Sequence, residues 1–192
     1  MPRPGPRSPW PWPRTSVWAR PRGRPWRTRP RGSPRGCAPG TLAAAFPTLR
    51  VRVAALPSAL RTVADRVLDS AVLDRVQLVP TSGPVPAGDR TVLLCRLLEQ
   101  LPDEDAVLAL RENAAAVPAG GALLLVEQVE GADGIELDTE AAPHHLRLKA
   151  AFGSGVRTER DFERIAALAG LRVASRRDIG WDHRLWELAP AR

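Results

Sequence analysis

Three ionisable side chains stand where an α/β chain would do chemistry. Arg96 and Glu99 follow the apolar run Val92-Leu93-Leu94, and Glu127 closes a second run, Ala122 to Val126. Ligands of open α/β sheets bind beyond the carboxyl ends of the strands. Neighbouring strand ends can bring two carboxylates close enough to act as an acid/base pair. The bland alternative is two solvated loop carboxylates, and on the bare residues it carries more weight. Other candidates offer less. His144-His145 suggests a metal, but adjacent side chains diverge and no carboxylate sits four residues on, so a surface helix start fits better. Trp181, His183 and Trp186 fit edge-strand packing better than an acceptor pocket, and Cys95 reads as a small apolar filler at a buried strand end.

The elements that must position Glu99 and Glu127 lie in Thr91–Gln128. An apolar strand, a short loop, an amphipathic helix, a Pro-Gly-Gly turn and a second apolar strand make a βαβ unit. Pro102 opens the helix where its missing N–H costs nothing, and Asp103, Glu104 and Asp105 fill the first turn, where the helix dipole favours negative charge. Val107, Leu110, Ala114 and Val117 recur at helical spacing, which predicts one stripe facing the sheet. Pro118 cannot continue the helix, and Gly120-Gly121 permits a sharp turn.

The rest of the chain from Thr41 alternates strand and helix. Residues 41–46 end a helix, Leu49–Ala54 reads as a strand, Pro57–Ala71 as an amphipathic helix and Arg75–Val79 as a third strand. Gly131–Thr139 is a loop, and Glu140–Phe152 is helical. Thr158 and Asp161 make a capping box before the next helix, with Gly170 as its natural stop. Strands at Leu171–Arg176 and Arg184–Leu188 follow. The alternation predicts a doubly wound α/β sheet without internal repeats.

The formal charge of +7 is not spread evenly. Residues 1–40 hold ten Arg, eleven Pro, four Trp and no acid, which leaves 18 basic against 21 acidic residues beyond them. The globular part is therefore mildly acidic, and any nucleic-acid argument rests on the first 40 residues. Arg pairs with phosphate and Trp can stack, but proline at this density predicts a disordered extension over residues 1–35 with no regular element of useful length. The two cysteines, Cys37 and Cys95, form no CxxC pattern, which disfavours a disulfide framework or a zinc site. No apolar run approaches a membrane span and no signal peptide is visible, so a cytoplasmic setting is the default expectation.

PDEDAV (Pro102–Val107), PAGGALLLVEQV (Pro118–Val129) and GSGVRTERDF (Gly153–Phe162) resemble the catalytic domain of small-molecule O-methyltransferases of the polyketide and plant phenolic group. LRVRVAALPSAL resembles that family's second strand and following helix, so the likeness spans about residues 36–190. It implies a class I methyltransferase (Rossmann-like) fold, S-adenosylmethionine as methyl donor and a hydroxylated aromatic acceptor. The catalytic domain would occupy residues 36–192. The family's homodimers rest on an N-terminal dimerisation domain, for which no counterpart is expected in these residues.

Carried over residue by residue, the resemblance puts the catalytic histidine at Glu99 and its orienting carboxylates at Glu127 and Val156. Of the glycine-rich cofactor loop only Gly36 and Gly40 correspond, with Pro34, Cys37 and Ala38 in place of other loop residues. The ribose-binding acid falls at Ala55, the aspartate beside the adenine near Ser82, and the lysine after the fourth strand at Cys95. No apolar strand precedes Gly36, so the central strand of the sheet is expected to be missing. The lead expectation is an O-methyltransferase with Glu99 as base and Glu127 as its partner. The alternatives are a non-catalytic or repurposed relative of the same fold, and a nucleic-acid binder acting through the basic arm.

Overall fold

The computed structural model describes residues 14–19 (backbone only), 38–67, 72–81, 83–130, 141–180 and 182–191. In chain order the elements are β1 (Arg14–Ala19), α1 (Ala38–Ala45), β2 (Arg50–Ala55), α2 (Pro57–Val67), β3 (Val76–Pro80), β4 (Thr91–Cys95), α3 (Asp103–Ala116), β5 (Ala122–Gln128), α4 (Ala141–Phe152), α5 (Glu159–Leu168), β6 (Leu171–Gly180) and β7 (His183–Pro190). They build a seven-stranded sheet in the order β3-β2-β1-β4-β5-β7-β6. Strands β1 to β5 are parallel, and the β6–β7 hairpin closes one side antiparallel to β5. The winding reverses between β1 and β4, which makes their carboxyl ends the switch point where such sheets bind ligands.

The central strand is present, contrary to the sequence expectation, and the supposed extension supplies it. Arg14–Ala19 pairs in parallel with β2 on one side and β4 on the other. Prolines exclude ladder hydrogen bonds wherever they fall, yet residues 14–20 form the longest proline-free interval of the first 40. Thr15, Val17 and Trp18 favour extended backbone, and parallel neighbours on both sides offer partners to its backbone N–H and carbonyl groups. The remainder of residues 1–35, and the loop expected at 131–139, lie outside the described residues.

The sheet is covered on both faces. One cluster gathers Leu94, Leu98, Leu110, Leu125, Ile165 and Trp186, and the other Ala43, Val51, Val53, Ala59, Leu60 and Val63. The buried stripe of α3 runs through Ala106, Leu110 and Asn113, about one residue round from the predicted one. Asn113 explains the rotation. Its Oδ1 accepts from the Val85 N–H at 3.0 Å and its Nδ2 donates to the Ala109 carbonyl at 2.8 Å, fastening the loop before β4 to the helix. The turn into β5 works as predicted for a structural reason. A Cβ on Gly121 would lie 2.5 Å from the Arg90 carbonyl, the group that receives the Ala122 N–H. The capping box of α5 also forms, with Thr158 and Asp161 bonding each other's backbone N–H at 3.2 Å.

A candidate active site at the carboxyl edge

The centre of the site is a turn that no local rule announces. Arg96, directly after β4, has φ of +52°, left-handed backbone that a non-glycine residue adopts at a cost. Leu97 follows in the right-handed region. That succession curls three consecutive N–H groups into a concave anion cradle. The Glu127 carboxyl group, from the end of β5, fills it. Oε1 accepts from Leu97 and Leu98 at 2.7 and 2.8 Å, and Oε2 from Glu99 at 3.4 Å. The expected approach of Glu99 and Glu127 therefore occurs, though through backbone bonds. Neither is a solvated loop group: both are fully buried.

Glu99 lies in a one-turn 3-10 helix, Leu98–Gln100. The Arg96 guanidinium grips its carboxylate two-pronged, Nε to Oε1 and Nη2 to Oε2, each at 3.2 Å. The same Nη2 donates to Gln128 Oε1 at 3.1 Å. The pair is lopsided: the Arg96 side chain is 19% exposed and that of Glu99 0%. Burial, and then the neighbouring Glu99 charge, pushes the Glu127 carboxyl up to about 8, against the opposing pull of its three backbone donors. Burial and the Glu127 charge push the Cys95 thiol up to about 11, so it stays protonated near neutrality.

A second loop, residues 153–157, seals the turn from outside. Ser154 Oγ donates to the Glu99 carbonyl at 2.6 Å. Arg157, 7% exposed, donates to the Leu98 carbonyl at 2.5 Å, the Leu101 carbonyl at 2.6 Å and Asp103 at 2.8 Å. Arg157 lies within the quoted RTERDF stretch, yet its role as a clamp on carbonyls has no signature in a chain with 28 Lys plus Arg. His145 lies near the start of a helix, α4, as expected, but it is half-buried rather than fully on the surface. Its ring lies where a Cβ on Gly155 would go, 2.7 Å from Cε1, and its buried Nδ1 has no hydrogen-bond partner among the described residues. Trp186 packs at the core against Phe162, centroids 4.9 Å apart, on a strand that is not an edge.

The remaining predicted residues separate. Ala55 and Cys95 close β2 and β4 at the same edge, flanking β1. Ala55 is buried, and its carbonyl receives the Thr81 N–H at 2.9 Å. Gly40 sits inside α1, while Gly36 and Ser82 lie outside the described residues. Val156, at the position of the second orienting carboxylate, is buried apolar core. A cleft lined by Arg50, Arg52, Asp74, Arg75 and Gln77 opens at the amino-terminal ends of β2 and β3. It is on the wrong edge of the sheet for this site, and three of its arginines are already spent on backbone carbonyls. Among the described residues no group of His, Cys, Asp or Glu could hold a metal, and no helix is long and apolar enough to cross a membrane.

Strand order, switch point and a polar carboxyl edge define a Rossmann-like protein of the class I methyltransferase type. Residues 32–172 match the O-methyltransferase domain family, and the chain belongs to that family. β1 lies ahead of the matched region. The chain is 33% identical over 120 residues to 2,7-dihydroxy-5-methyl-1-naphthoate 7-O-methyltransferase of Streptomyces carzinostaticus, covering 60% of this chain and 34% of that protein. It is 33% identical over 138 residues to aclacinomycin 10-hydroxylase RdmB of Streptomyces purpurascens, covering 70% and 36%. Among solved structures, an O-methyltransferase from neocarzinostatin biosynthesis, in complex with S-adenosylmethionine and 2-hydroxy-5-methyl naphthoic acid, superposes with a TM-score of 0.67 at 28% identity, covering 78% of this chain and 44% of that one. The chain thus spans about a third of the length of these curated relatives.

Ala55 and Cys95, the residues the resemblance assigns to the cofactor, both reach the carboxyl edge, the edge at which such sheets bind ligands. Among the described residues, β2 ends on Ala55, whose side chain offers no carboxylate to a ribose and whose carbonyl is already engaged by the Thr81 N–H.

Proposed function

We propose that this chain is the catalytic-domain portion of an S-adenosylmethionine-dependent O-methyltransferase acting on a hydroxylated aromatic small molecule of the polyketide type. The observation that carries the reading is the family match over residues 32–172, superimposed on a carboxyl edge with two buried carboxyl groups. When bound, S-adenosylmethionine supplies an electrophilic methyl group, which an acceptor oxygen takes as the C–S bond breaks and its electron pair stays on sulfur. The chain's own part is to bind and orient. Ala55 and Cys95 border the cofactor region, and the Arg96–Gln100 turn forms the wall beside the acceptor. Holding two reactants in line supplies much of the rate in transfers of this kind. Glu99 stands in the position of the proton-accepting group with Glu127 as its partner, and it can serve as a base only by releasing Arg96. The free thiol of Cys95 suits a cytoplasmic setting.

Isothermal titration calorimetry of the full chain with S-adenosylmethionine tests the reading. Saturable binding is expected, at lower affinity than an enzyme with a ribose carboxylate attains. Absence of binding at millimolar cofactor would remove the enzyme reading for this chain.

A further inference from the structure

The turn of the site is gripped from two sides by residues remote in sequence. Its Leu97, Leu98 and Glu99 N–H groups all donate to the Glu127 carboxyl group. Its carbonyls are taken by the loop of residues 153–157. Arg157 Nη1 donates to the Leu98 carbonyl at 2.5 Å and Nη2 to the Leu101 carbonyl at 2.6 Å. Ser154 Oγ donates to the Glu99 carbonyl at 2.6 Å. The Leu98 carbonyl and the Glu99 N–H belong to one peptide group. That group stands between the Arg157 guanidinium and the Glu127 carboxyl, at 2.5 and 3.4 Å, in a chain of hydrogen bonds whose members polarise one another.

We propose that Arg157 is a positioning residue of this site: acting through backbone carbonyls, it fixes the turn that carries Glu99 and keeps the three-N–H cradle closed on Glu127. The consequence for turnover rests on the O-methyltransferase reading, whereas the positioning itself stands on this chain's contacts alone. In that reading the turn is the wall beside the acceptor, and a displacement of about 1 Å there can cost on the order of a hundredfold in rate.

The turn needs such support. Inside it, the Gln100 N–H donates to the Leu97 carbonyl at 3.1 Å and the Leu101 N–H to the Leu98 carbonyl at 3.0 Å. A single 3-10 turn of this kind has poor hydrogen-bond geometry. Arg96 at its start has left-handed backbone, which persists only where surrounding structure enforces it. Both grips are anchored to one strand. β5 delivers Glu127, and just beyond its end Val129 bridges Arg157 while the Glu130 N–H donates to the Arg157 carbonyl at 2.9 Å. The side chain of Arg157 is anchored too. Its Nε and Nη2 both bond Asp103 Oδ1, at 3.0 and 2.8 Å, and Arg164 holds the other oxygen of Asp103. Asp103 lies in the first turn of α3, so the helix start joins the lock. A planar guanidinium fork can span two carbonyls and a carboxylate at once, whereas a lysine ammonium is a single point of charge.

Amide hydrogen exchange followed by NMR on the full chain tests this, because Arg157 bonds carbonyls while exchange reports the N–H groups across the turn. In the wild type the Leu97 and Leu98 amides should be protected. Arg157→Gln should speed their exchange at least about tenfold beyond any change at Val53, which is buried in the other core cluster. Their proton resonances should also move upfield as the short bonds to Glu127 lengthen. Arg157→Lys keeps the charge and loses the fork, so it should retain only part of the protection. Arg164→Gln leaves every contact of Arg157 with the turn in place and should stay within about threefold of the wild type. Asp103→Asn removes the charge that anchors the guanidinium; it should loosen the same two amides, and it decides the matter if Arg157→Gln does not fold. Unprotected Leu97 and Leu98 amides in the wild type overturn the proposal. So does exchange that only keeps pace with Val53, the mark of general destabilisation, or protection that survives both Arg157→Gln and Asp103→Asn. Failure of S-adenosylmethionine to bind the wild type would remove the O-methyltransferase reading and leave the exchange result standing.

Discussion

Glu127 is the residue on which stability and pH meet. Its carboxyl group, raised from an ordinary 4.5 to about 8, favours folding most strongly while protonated. The contribution is complete below about pH 4.5 and is lost as pH climbs through 8, because above the ordinary value the unfolded chain ionises first. Glu127→Gln keeps an oxygen for the Leu97 and Leu98 N–H groups and has nothing to titrate. Urea unfolding of both proteins at pH 5, 6.5 and 8 should therefore show the wild type losing ground to the variant, by a few kcal/mol in order of magnitude across that range. Parallel pH dependences would show that the carboxyl group is not buried in this way. The neighbourhood of Glu99 and Glu127 was legible in the sequence, since both follow apolar runs of adjacent strands. The Arg96 conformation was not. A left-handed arginine leaves no trace in residue type, because the cradle that enforces it is assembled from two strands that meet only in the fold.

At the scale of elements, sequence reasoning succeeded wherever local chemistry decides. The Thr158–Asp161 box, the Pro-Gly-Gly turn and the helix start after Pro102 are each written in a few adjacent residues. It slipped by a residue on α3 because Asn113, polar by type, is buried to bond Val85 across 28 positions. The loop 153–157 shows the same limit. Its echo of a family motif was visible, but its fit against α4 was not: Gly155 is small because the His145 ring occupies the space of its side chain. Gly155→Ala should cost about 1–3 kcal/mol, the range for forcing an atom into packed space. His145→Ala should cancel most of that cost, since the two changes share one contact. A double-mutant cycle by urea unfolding measures the coupling, and strictly additive effects would show that the ring and the glycine do not compete for that volume.

For the whole molecule, the division of charge and texture at about residue 40 suggested a folded body with a basic appendage. The sheet contradicts that division at its centre. β1 comes from the appendage and pairs four residues of β2 and five of β4. What made it illegible is that a central parallel strand is usually a run of apolar residues. Here the strand is RTSVWA, set among prolines, and its place is imposed by neighbours on both sides. Deleting residues 1–13 should leave cooperative unfolding intact. Deleting residues 1–35 should abolish it, because two buried strand edges lose their partner at about 0.5–1.5 kcal/mol per hydrogen bond, against a total stability of about 5–15 kcal/mol. Val17→Pro in the full chain separates the role of the strand from that of the ten arginines of this segment: it removes one ladder N–H and keeps every charge. Circular-dichroism melts and size-exclusion chromatography read all three. If the chain lacking residues 1–35 melts like the intact one and stays monodisperse, β1 is dispensable and the sheet closes without it. If instead Val17→Pro reproduces the longer deletion, the appendage holds the middle of the fold, and the carboxyl edge between β1 and β4 exists only because of it.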